Sequence, residues 1–125
     1  MARVHIPYTD LFDEKEPVLI SLTPTTGDET NHHTFPVGEN FILIAHNHKV
    51  APTAQRSFSI IETADKALGR AAPQLVTLEI NEIWIGGPYS SDGFAQPGTP
   101  SIGNLDVTAG SGVDGRLLFF CARLK

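Results

Sequence analysis

Proline and glycine recur at short intervals along the whole chain, nine of one and eleven of the other in 125 residues. Proline fixes φ and lacks a backbone donor, and glycine adopts conformations closed to other residues, so both interrupt regular structure. The segments between them are short and rich in β-branched and aromatic residues, which is the pattern of strands joined by turns. The one helix candidate, "ETADKALGR" at 62–70, is too short and polar to carry a layer and reads as a turn of helix or a loop.

Strands are expected over 17–22, 39–46, 56–63, 74–80, 82–86, 104–108 and 115–124. Val18, Ile20 and Leu22 share one face of their segment, Phe58 and Ile60 another, and Val76, Leu78 and Ile80 a third, as a period of two requires. "FILIA" at 41–45 and "LLFFCA" at 117–122 are apolar on both faces. Such strands need cover from the opposite sheet on one side and from a loop or another subunit on the other. The fold class predicted is all-β: a single-domain β-sandwich, or a partly closed barrel, of about seven to eight short antiparallel strands spanning 17–125. Residues 1–16, polar with isolated apolar positions, read as an extended N-terminal arm in front of it.

Four of the five histidines, His32, His33, His46 and His48, flank one apolar run. On a strand His46 and His48 point the same way, about 7 Å apart at Cα, and a His-x-His pair can supply two ligands of a transition metal. A cupin-like site would use His46 and His48 with His33 and Glu39. Cupins resemble a Gly, a short spacer, His-x-His and then a Glu, but no carboxylate follows His48 before Glu62, and Gly87 and Pro88 lead into Tyr89 rather than a histidine. The histidines are therefore read as strand-end residues, with no metal, no cofactor and no catalytic set expected. "HNH" at 46–48 is contiguous, unlike the separated residues of the nuclease motif of that name.

The formal charge is −5 and the nine basic residues are scattered, which argues against direct nucleic-acid binding. No apolar run approaches the roughly 20 residues of a membrane helix, and the start "MARVHIPYTD" has no apolar signal region, so a soluble, cytoplasmically made protein is expected. The single cysteine, Cys121, excludes an internal disulfide and lies in an apolar run, where a thiol behaves as a small hydrophobe.

Two segments read as contact elements. In the arm, Tyr8, Leu11 and Phe12 are spaced like anchors for a groove. In the long 86–103 stretch, prolines and glycines are expected to hold Tyr89 and Phe94 outward. Asp114-Gly115 is a hairpin signal before the last strand.

The order of segments resembles a class of small phage proteins encoded beside the major capsid protein, the head decoration or minor capsid proteins. The resemblance rests on His33-Thr34-Phe35-Pro36 as a turn, the apolar strand 41–45 ending at Asn47, Gly87-Pro88-Tyr89, Leu105-Asp106-Val107, and Arg123-Leu124. It covers residues 18–124 and departs from the pattern in the front arm and the 86–103 stretch. It implies a non-enzymatic sandwich on the capsid exterior of a virion, with the major capsid protein as partner. Self-association into a closed oligomer such as a trimer is expected from the two-sided apolar strands. The alternatives are a carbohydrate-binding or adhesion module, in which Trp84, Tyr89 or Phe94 would stack on sugar rings, and the cupin-like enzyme.

Overall fold

In the computed structural model the described residues are 3–10, 22–48, 55–61, 74–89, 94–96, 99–112 and 117–123. They form two sheets. Sheet A runs in the order β1 (Val4–His5), β4 (His33–Pro36), β10 (Thr99–Val107), β6 (Arg56–Ile60) and β7 (Gln74–Leu78), with β9 (Ala95–Gln96) also paired to β10. Sheet B runs β2 (Tyr8–Asp10), β11 (Leu117–Arg123), β5 (Phe41–Asn47) and β8 (Ile83–Gly86), with β3 (Thr25–Thr26) also beside β11. The architecture is an all-β sandwich, and neither sheet closes into a barrel.

Alternation places the core. Along β5 Leu43, Ala45 and Asn47 are buried while Ile42, Ile44 and His46 are not, and along β6 Arg56, Phe58 and Ile60 are buried between Ser57 and Ser59. The inward residues meet between the sheets: Phe58 packs edge-on against Phe119 at 5.1 Å and against Trp84 at 5.3 Å, and His33 against Phe119 at 5.2 Å. Each fully buried Phe, Leu or Ile contributes about 1.5–3 kcal/mol. Gly103 faces this core, where an added Cβ would lie 2.8 Å from Val37 and 2.9 Å from Phe35.

Several expectations are corrected here. Residues 4–10 are not a free arm, because Val4–His5 pairs with β4 in sheet A and Tyr8–Asp10 pairs with β11 in sheet B. Ile6, between them, is fully buried, and Pro7, which has no N–H to give a ladder, stands where the chain leaves one sheet for the other. Both pairings are parallel, so the sheets are mixed rather than antiparallel throughout. Eleven strands occur among the described residues instead of seven to eight, the extra ones being two to four residues long. His33–Pro36, expected as a turn, is β4, and β10 begins at Thr99, inside the expected 86–103 loop. The strands expected at 39–46, 56–63, 74–80, 82–86 and 115–124 correspond to β5, β6, β7, β8 and β11. The strand expected over 17–22, apart from Leu22, the segment 62–70 and the Asp114-Gly115 turn lie outside the described residues.

Candidate functional site

The histidines separate into two kinds. His33 is buried, with Nδ1 3.0 Å from the Val4 carbonyl and Nε2 accepting the Asp28 N–H at 2.9 Å. Since Nε2 accepts, the proton sits on Nδ1 and donates to Val4, so the ring is neutral and has no lone pair left for a metal. Burial holds its pKa below the ordinary value. His32, at φ 61°, accepts the Val107 N–H on Nδ1 at 3.1 Å. His46 and His48 do share a side, with ring centroids 5.9 Å apart, but His46 is on the outer face of sheet B and His33 is between the sheets. Glu39 lies before β5 and His46 is the last residue but one of that strand, whose run from Phe41 to His46 alone spans roughly 17 Å at 3.4 Å per residue. The cupin-like set is thus not brought together, and no group of three or more His, Cys, Asp or Glu able to hold a metal occurs among the described residues.

The aromatic residues are also redistributed. Trp84 stands opposite Ala45, an inward position, and packs on Phe58. An added Cβ at Gly86 would lie 2.1 Å from the Trp84 ring, so the glycine makes room for the indole on the inner face. Tyr89 lies edge-on to Phe35 at 5.7 Å and to Phe94 at 4.7 Å, and burial pushes its hydroxyl up to about 12. Phe94 is 7% exposed and belongs to the core, which overturns the expectation that it points outward. Its apolar ring is more stable under β10 and beside Tyr89 than in water. Of the expected contact residues that are described, Tyr8 is the well exposed one, at 42%; its ring lies edge-on to Phe41 at 5.1 Å and carries the Arg123 guanidinium 4.8 Å from its centre. A shallow groove of about 230 Å³ opens between Tyr8, His5, Pro36, Phe41, Ser101 and Ile102. Leu11 and Phe12 lie outside the described residues. Cys121 is buried, and burial pushes its thiol up to about 12, leaving it without thiolate character near neutral pH.

The outward faces of the two sheets differ in chemistry. Sheet A turns Thr34, Ser57, Ser59, Thr77, Asn104 and Asp106 outward, with Leu75 at its β7 edge and Pro36 and Ile102, which continue the same face of β4 and β10, as the apolar exceptions. Sheet B turns out Ile42, Ile44, Ile83, Ile85, Leu118 and Phe120, in rows fixed by the register: Ile85 beside Ile44 beside Phe120, and Ile83 beside His46 beside Leu118. Ile83 and Ile85 are 60% and 65% exposed. Contiguous apolar rows on a sheet face mark an interaction surface. His46 is the one ionisable side chain in those rows, and burial, followed by the nearby His48, keeps it below its ordinary pKa, so the face is uncharged near neutral pH. The two-sided runs "FILIA" and "LLFFCA" signal this face in the sequence; "IWI" at 83–85 carries the same signal in a run too short to stand out.

Comparison with protein-family models, with curated proteins and with solved structures yields no match.

Proposed function

We propose that this chain is a structural subunit of a virion, a head decoration protein that docks on the major capsid protein through the outer face of sheet B. The observation that carries this reading is the contrast between the two outward faces, one mostly of serine, threonine, asparagine and aspartate and one mostly of isoleucine, leucine and phenylalanine. A sandwich needs only its inner faces to fold, and a second apolar face gains its stabilisation when a partner removes it from water. The segment order, which resembles that of head decoration proteins, suggests the kind of partner: a broad protein shell presenting the same surface many times. The polar face of sheet A then points away from the shell, as a virion exterior requires.

The test mixes the purified protein with head shells assembled from the major capsid protein and follows co-sedimentation. Binding is expected for the native chain and for Ser59→Asp on the polar face. Ile44→Asp and Phe120→Lys, which place a charge in the middle of the apolar rows, are expected to weaken it by at least about a hundredfold, as a charge buried without a partner does. Equal binding by all four proteins overturns the reading.

A further inference from the structure

The β8 edge of sheet B carries a feature separate from its face. β8 pairs with β5 on one side only, and no described residue pairs with it on the other. The Asn47 N–H donates to the Glu82 carbonyl at 3.2 Å. In an antiparallel ladder this pattern alternates residue by residue, so Trp84 and Gly86 turn their backbone groups to β5 while Ile83 and Ile85 turn theirs to the open side. On the far side of the sheet the Gly27 N–H bonds to the Leu117 carbonyl at 2.7 Å, which fits the same alternation carried across β5 and β11. The edge "IWIG", though only four residues long, has no charged residue and no proline within it to resist pairing.

We infer that two copies of this chain join edge to edge through β8, antiparallel about a two-fold axis at Trp84, so that their B sheets become one continuous sheet. In that register Ile83 of each copy lies opposite Ile85 of the other. These are the residues whose N–H and C=O groups face the open side, so four backbone hydrogen bonds form with no change in either copy. Their side chains then meet as cross-strand pairs on the outer face, covering the most exposed isoleucines among the described residues. Charge selects the direction. Glu82 adjoins the edge at one end and Gly86 ends it at the other, so antiparallel pairing sets each Glu82 beside a Gly86, whereas parallel pairing would set Glu82 against Glu82. A second copy of β8 is therefore the occupant that matches the edge in length, hydrogen-bond phase and charge, and the two-fold closes the assembly without leaving a further β8 edge.

The experiment is sedimentation equilibrium of the full chain, together with amide hydrogen exchange at high and low protein concentration. A monomer–dimer equilibrium is expected, with the Ile83 and Ile85 amides protected only at high concentration. Ile83→Pro removes the outward N–H while leaving the ladder to β5 intact, as proline at an edge can. It should raise the dimer dissociation constant roughly thirtyfold, the effect of two backbone hydrogen bonds per dimer. Phe120→Lys, on the same face but two strands in from the edge, should leave that constant unchanged. A native chain that stays monomeric up to roughly 1 mM, below even the weak end of specific association, overturns the inference. So does a dimer in which the Ile83 and Ile85 amides exchange freely, or one lost in Phe120→Lys but kept in Ile83→Pro; the exchange measurement needs no variant and stands if Ile83→Pro fails to fold.

Discussion

With both ring nitrogens engaged, one donating to Val4 and one accepting from Asp28, His33 fits its site only as the neutral ring. Protonation would turn Nε2 into a donor facing the Asp28 N–H inside the core. Its folded pKa is therefore lowered from 6.5, chiefly by burial. The unfolded chain then binds the proton more readily, and stability is complete above the unfolded value and lost as pH falls from there through the folded one. His46, lowered for the same first reason, adds to the loss in the same window. Asp28, lowered by the Asn31 and Thr30 N–H groups it accepts, extends it below pH 3.8. Thermal melts should thus show a plateau above about pH 7 and a decline toward pH 5. His33→Gln should be less stable by about 1–3 kcal/mol at neutral pH, with a flatter decline; an unchanged pH profile in that variant would refute the assignment. Cys121 was legible as a buried thiol because its neighbours in sequence are its neighbours in the strand. His33 was not, because its partners Asp28 and Val4 are brought to it by a loop and by a strand 29 residues away.

At the scale of elements, most strands that could be read in advance have room to alternate: β5, β6, β7 and β11 span five to seven residues each, whereas the first half of the nine-residue β10, with Pro100 and Gly103 in it, carries loop signals instead. β1, β2, β3 and β9 span two or three, too few to show a period, and they exist because a longer strand offers them a ladder. The clearest case is the segment from Val4 to Asp10, which resembles a solvated arm in composition yet threads both sheets. Its anchor is Ile6. Ile6→Ala should cost about 2–5 kcal/mol in chemical denaturation, the usual effect of emptying a buried aliphatic site, and removal of residues 2–10 should abolish the cooperative transition altogether. A truncated protein that still melts cooperatively near the native temperature would return the segment to the status of an arm.

For the molecule as a whole, alternation told which residues share a face but not which face meets water, since that depends on the order of strands within each sheet. Four of the strands of sheet B come from distant parts of the chain, and only their assembly turns the outer halves of "FILIA", "IWI" and "LLFFCA" into one surface. The same assembly sets the parallel pair β2–β11 side by side, Tyr8 to Cys121 and Asp10 to Arg123, with the Arg123 and Asp10 side chains ion-paired across it. Opposite ends of a parallel pair lie at opposite ends of the strands. Tension applied between Pro7 and Arg123 therefore acts along the hydrogen-bond row and loads every bond at once in shear. Tension between Asn47 and Glu82, neighbours at one end of the antiparallel β5–β8 pair, instead opens the bonds one after another. Single-molecule pulling should find the first geometry to rupture at distinctly higher force than the second, and equal forces would contradict the pairing. A fold laced in this way resists being stretched along its length while remaining easy to peel at the β8 side, a mechanical polarity set by strand direction alone.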